Sequence, residues 1–226
     1  MDPIAHLTVA TLAFLGTHFV SSTPLRAALA GVIGERGYLA VYSIAAFATL
    51  GWMIWAYGRT PFQPLWQVPG LRLWPAVVMP FALILAASAL MTRNPTAIGQ
   101  AGAMKAGEPA RGIIRVTRHP LMWGIMLWGA VHLLARGDLA SLVFFGGFVA
   151  LAGLGTLLID AKKRASFGED WQRFAAVTSN VPFGAIAGGR NRFVFAEIGW
   201  KGIGVGLALY VLLLLAHPYL FGARPY

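Results

Sequence analysis

A chain of 226 residues that is 58% hydrophobic, only 12% charged and has a mean hydropathy of +0.66 carries more apolar surface than a soluble core can hide. Lipid must solvate that surface, so an integral membrane protein is expected. The net charge of +10 lies between apolar stretches, which argues against nucleic acid, and the lack of cysteine excludes disulfides, thiolate zinc sites, iron–sulfur clusters and covalently attached haem.

Apolar windows of about 17–25 residues predict six spans, Ile4–Val20, Tyr38–Tyr57, Leu73–Met91, Leu121–Ala135, Leu139–Ile159 and Gly199–Leu215. The fold class expected is all-α, one transmembrane bundle over residues 1–226 with a cytoplasmic amphipathic segment. Only Asp2 charges the start of the first run, and no small-residue cleavage site follows, so the run reads as a retained helix rather than a signal peptide. Ser21-Ser22-Thr23-Pro24 reads as a helix start, with proline at the first helical position. The fourth span is short unless it begins at or before Arg118. Arg136-Gly137-Asp138 is tight enough to join spans four and five as an antiparallel hairpin.

Thr92–Thr117, rich in Gly, Ala and Pro, reads as a flexible cover. Beyond the fifth span, Phe167, Trp171 and Phe174 recur at helical spacing beside Lys, Asp and Arg. That pattern fits a helix in the headgroup layer and equally a cap on the bundle. Gly202, Gly204 and Gly206 follow no predicted strand, so a dinucleotide fingerprint is disfavoured. Gly202-x-x-x-Gly206 instead has the spacing that lets two membrane helices approach closely.

Six spans put both termini on one side. The opposite face then collects Arg26, Arg36, Arg93, Lys105, Arg111, Arg115, Arg118, Lys162, Lys163, Arg164, Arg173, Arg190, Arg192 and Lys201, against Arg59, Arg72, Arg136 and Arg224. Lys/Arg excess marks the cytoplasmic side. A multi-pass protein of a bacterial inner membrane, with periplasmic termini, is expected.

Five histidines remain to be placed. His6 and His217 sit near span ends, where interfacial roles suffice. His119 lies between Arg118 and Pro120 at the entrance of span four, a position open to lipid phosphate binding or to chemistry. His18 and His132 lie within spans one and four, where an ionisable group is costly and usually faces the bundle interior or a bound group. Each also admits a plain structural role. At 1.5 Å per residue they lie ~22 Å and ~20 Å along helices of opposite sense, roughly 10 Å apart in depth across a ~30 Å core. Two intramembrane imidazoles without cysteine fit a non-covalent haem b, and a haem tilted between the helices tolerates that offset.

The ordered set FLGTHFVSSTPLR at Phe14–Arg26, Ile33-Gly34-Glu35-Arg36, Trp66-Gln67-Val68-Pro69-Gly70, RVTRHPLMWGIMLWGAVH at Arg115–His132, Phe167-Gly168-Glu169-Asp170, Thr178-Ser179-Asn180-Val181-Pro182-Phe183 and Ala216-His217-Pro218 resembles the NnrU family. Through it the chain resembles the plant and cyanobacterial zeta-carotene cis–trans isomerase. The resemblance covers nearly the whole chain. It implies haem b held by His18 and His132 as axial ligands and metal-binding residues, and a function linked to redox chemistry or nitric oxide and denitrification. An isomerase acting on a hydrophobic polyene is the alternative. The isomerase carries a further histidine in the helix after the one holding His132, whereas Leu139–Ile159 holds none. Arginine pairs carboxylates bidentately, so Arg26, Arg115 and Arg118 are the expected partners of the haem propionates. The Arg-His-Pro step and Phe-Gly-x-x-Trp also look like membrane methyltransferases using S-adenosylmethionine, although only Asp160 stands where those enzymes have an acidic pair. The sequence leaves the oligomeric state open.

Overall fold

The computed structural model describes residues 1–97, 100, 102, 103, 108 and 110–223. The cations Lys105 and Arg224, and part of the expected Thr92–Thr117 cover, lie outside these residues. Nine α-helices are described: α1 Pro3–Val20, α2 Pro24–Arg59, α3 Trp74–Met91, α4 Ile113–Val116, α5 Pro120–Arg136, α6 Leu139–Ala176, α7 Gly184–Ala187, α8 Phe195–Ile198 and α9 Trp200–Phe221. No strand occurs among the described residues; Pro64 and Asp138 form one isolated antiparallel bridge.

Five helices (α1, α2, the turn-plus-helix Pro69–Met91, α6 and α9) are long and apolar enough to cross a bilayer. The expected fourth span is α5, which has 17 residues and begins at Pro120, so it gains no length upstream. Two spans run longer than expected because they absorb their flanking loops. Helix α2 starts at Pro24 and breaks at Gly34 (φ 75°), and α6 continues to Ala176 across Gly168 (φ 45°). Both breaks use a positive φ that glycine adopts without a Cβ penalty.

The chain forms two compact units whose boundary falls within α5 and α6. The first comprises Met1–Leu71 and Gly129–Leu151. Here α1 begins at Pro3 behind Asp2, whose carboxylate accepts from Ala5 N at 2.9 Å, and α1 packs along α2. The expected hairpin is present. Gly137 (φ 62°) makes its turn, and its carbonyl accepts from Leu65 N and Trp66 N at 2.8 and 3.0 Å. Trp66 Nε1 donates to Leu134 O at 3.0 Å, so residues 62–66 strap the turn. Asp138 is fully buried and caps α6, accepting from Ser141 N (3.0 Å) and Ser141 Oγ (2.6 Å).

The second unit comprises Arg72–Trp128 and Ala152–Tyr226. Helices α3 and α9 lie against each other at the two glycines singled out for close approach. A Cβ at Gly206 would stand 2.7 Å from Ile84 Cα, and one at Gly202 would collide with Ser88 Oγ. The amphipathic segment resolves as a cap. Trp171 and Phe174 are fully buried against Ile113, Ile114 and Val116. The end of the expected flexible cover is therefore packed core.

Candidate functional site

The structure brings His18, His132 and Arg26 into the first unit and places Arg115 and Arg118 in the second.

On α1, Phe14 stands one turn before His18. The His18 Nδ1–H donates to Phe14 O at 2.8 Å, which leaves Nε2 as the outward-facing nitrogen. Holding one ring nitrogen on a carbonyl so that the other is presented in a fixed tautomer is the usual support of a metal-ligating histidine. The His18 ring also packs on Phe14 (centroids 4.3 Å apart) and stands edge-on to Tyr42 of α2 at 6.0 Å. At the other end, His132 of α5 stacks on Phe145 of α6 at 5.4 Å and 28°.

Ring contacts run between the two imidazoles. Phe14 meets Phe148 at 5.2 Å, Phe148 meets Phe144 at 5.4 Å, and Phe144 meets Phe145 edge-on at 5.1 Å. Such pairs each contribute about 0.5–1.5 kcal/mol beyond the burial of their area. The backbone lets them converge, because a Cβ at Gly147 would come within 2.7 Å of Thr11 Cγ2. Tyr57 joins the same group, stacking on Phe144 at 4.4 Å while its hydroxyl lies 2.9 Å from Ser141 Oγ.

Among the described residues no group of three His, Asp, Glu or Cys side chains could hold a metal ion. A bis-imidazole iron needs only two donors. Two histidines on apolar helices, one with its second nitrogen already fixed on a carbonyl and neither competing with a thiolate, are donors of the type that haem b takes.

Arg26 is ion-paired with Glu35 across the Gly34 break, and its guanidinium lies 5.4 Å above the Tyr38 ring. Tyr38 stacks on Tyr42 at 6.0 Å. The Tyr38 hydroxyl and Thr11 Oγ1 are buried without a hydrogen-bond partner. Leaving a buried hydroxyl unpaired costs about 1–3 kcal/mol, so both are points where this unit is polar without compensation.

In the second unit the two other arginines are held by acids. Arg118 chelates Asp160, with Nε at 3.0 Å from both carboxylate oxygens, and His119 Nε2 lies 2.7 Å from Asp160 Oδ1. The Arg118 guanidinium also lies 5.4 Å from the Trp171 ring. Loop residues complete the enclosure. Arg118 N donates to Ser179 O at 3.0 Å, and Trp123 Nε1 donates to Asn180 O at 2.8 Å. Phe183, at φ 62°, holds a left-handed conformation that a bulky side chain rarely adopts, while its N–H donates to Val116 O. Arg115 is buried and donates to both oxygens of Glu197 (2.8 and 3.0 Å), to Glu108 (2.6 Å) and to Asn191 (2.7 Å). The Arg115 guanidinium, helped by Gly112 N–H, holds the Glu197 carboxyl far below the usual range, at about 2.

Sequence reasoning missed Asp160 as the partner of the Arg-His step, and missed Tyr42 against His18, Tyr38 behind it and Tyr57 against the phenylalanine run. A lone acid closing an otherwise apolar span was the available signal for Asp160. The tyrosines gave none, since aromatic residues are ordinary in membrane helices.

The fold is therefore that of a helical membrane protein, whose first unit carries two imidazoles on apolar helices joined by an aromatic run. Residues 6–225 match the family model described as NnrU protein, and the chain belongs to that family. Among curated proteins it is similar to 15-cis-zeta-carotene isomerase, chloroplastic, of Arabidopsis thaliana, with 27% identity covering 97% of this chain and 58% of the relative. The Zea mays protein of the same name is 26% identical over 71% of this chain and 45% of the relative. The chain thus spans about half the length of these relatives. No solved structure matches.

Proposed function

We propose that this chain is a haem b protein of the membrane that isomerises double bonds of a hydrophobic polyene. The observation that carries the reading is the run Phe14, Phe148, Phe144 and Phe145 between His18 and His132. Family membership and the printed activity of the two relatives support it. Neither relative's name lends support to a link with nitric oxide.

His18 and His132 would hold the haem, which when bound supplies an iron whose ligation responds to its oxidation state. The chain's own residues set the conditions. Phe14 O fixes the tautomer of His18, and Phe145 braces the ring of His132. The phenylalanine rings pack against one another and keep water from the ground between the two histidines, and a conjugated chain would have to pack along that apolar, polarisable run. A cis–trans change conserves every atom and proton of the polyene, so a site lined by rings rather than acids and bases is chemically adequate. The cation asymmetry between loops supports an inner-membrane protein, with both termini outside when the 17-residue α5 crosses beside the five longer helices.

Purified protein is expected to show a Soret band that sharpens on reduction, and to convert a cis-carotene in only one oxidation state of the iron. His18→Ala and His132→Ala should each lose the low-spin spectrum and the conversion. Normal pigment content in both variants would defeat the ligand assignment. Conversion that proceeds equally without haem would defeat the reaction.

A further inference from the structure

A buried phenol, an arginine and a displaceable acid meet on the His18 side of the first unit. Tyr38 is 5% exposed and its hydroxyl is buried without an acceptor. The Arg26 guanidinium lies on the face of the same ring, and its one ion-pair partner among the described residues is Glu35. Contact continues inward from Tyr38 to Tyr42 and from Tyr42 to His18. Glu35 directly follows Gly34, whose φ of 75° breaks α2 and beside which there is open space. The Glu35 side chain is 55% exposed, so water can solvate its carboxylate if it lets go of Arg26.

We propose that Arg26 and Tyr38 form the carboxylate subsite of the His18 site, with Glu35 as an internal stand-in for the ligand's acid group. The inference rests on the haem reading, in which that acid is a haem propionate. One carboxylate replaces another on Arg26, so the net charge at the arginine is conserved. Arginine takes either carboxylate in the same forked geometry. The incoming group differs from Glu35 in also giving the Tyr38 hydroxyl an acceptor. Glu35 moves out on the Gly34 break, which needs no rearrangement of the packed part of α2.

The full chain, purified without haem, is titrated with haem b and separately with haem whose propionates are methyl esters, following the Soret band. Tyr38→Phe should weaken haem b binding about tenfold, the loss expected for one hydrogen bond to a charged group, and weaken ester binding by clearly less, since the ester carbonyl is a neutral acceptor. Glu35→Gln, an exposed change safe for folding, should tighten haem b and not the ester. Equal effects on both pigments, or none on either, would overturn the subsite, as would an ester that binds wild type as tightly as haem b. Free acetate or a fatty acid that weakens haem b binding only in chains retaining Arg26 and Tyr38 would support the same carboxylate chemistry. Failure of wild type to bind either pigment would overturn the haem reading itself, and the subsite with it.

Discussion

The contact between α3 and α9 offers the sharpest test of the packing. Alanine at Gly206 would place its Cβ 2.7 Å from Ile84 Cα and 2.8 Å from Ile84 N, backbone atoms that cannot rotate away. Ordinary contact begins at about 3.5 Å, so the helices must separate by close to an ångström over at least one turn. Gly204, on the same helix, has nothing within 4 Å of the position a Cβ would take and serves as the internal control. Both substitutions gain about 0.8–1 kcal/mol of intrinsic helix propensity, which cancels in the comparison. What remains is the overpacking penalty, about 1–3 kcal/mol, with lost dispersion along the separated surface. Reversible unfolding in mixed micelles should rank Gly206→Ala below Gly204→Ala by that amount. Equal stabilities would refute the close approach of α3 and α9.

Asp160→Asn leaves Arg118 and His119 enclosed without their anion; a loss of about 3–5 kcal/mol is expected for breaking a buried pair, and Arg118→Met with Asp160→Leu should restore part of it in the same micelle assay. Glu197, with its folded pKa at about 2, contributes stability that is fully present above its ordinary value near 4.5 and fades as pH falls toward 2. Amide protection around Gly112, taken relative to the intrinsic exchange rate at each pH, should fall across that window as pH drops, and Glu197→Gln should flatten the dependence. Gly137→Ala combines a positive φ with a collision against Trp66 O, so it should loosen the 62–66 strap and raise proteolysis there, while leaving cleavage elsewhere unchanged.

Hydropathy locates the five membrane-length helices to within a few residues at most ends, because a continuous apolar run has few other ways to satisfy its backbone in lipid, while the expected fourth span is the shorter α5. Local spacing sets the Arg136-Gly137-Asp138 hairpin and the Gly202–Gly206 contact, and both are legible for that reason. Where α2 and α6 extend past their apolar cores is not, since polar residues such as Arg26 and Lys163 continue a helix without changing hydropathy in its favour. The Thr92–Thr117 cover misleads for the opposite reason. Its Gly and Ala content suggests looseness, but Ile113, Ile114 and Val116 find their partners in Trp171 and Phe174, some sixty residues later. Of the candidate site, His18 and His132 are legible as ionisable groups in apolar helices. The Glu35 partner of Arg26 and the acid partners of Arg115 and Arg118 are not, because pairing across seven to 82 positions leaves no periodic trace.

The enclosure of Arg118 by Asp160 also has a history in time. The two residues lie 42 positions apart, so at roughly 5–20 residues per second the arginine emerges about 2–8 s before its counter-ion exists. During that interval Arg118 and its neighbours are bare cations at the mouth of α5, in the state in which positive charge directs how a helix enters the bilayer. Once Asp160 arrives at the end of the next span, the same charge is cancelled and sealed beneath Trp171. One residue thus acts first as an address and afterwards as a rivet. Removing the acid should leave the orientation of the helices as it was, while the finished bundle fails to lock.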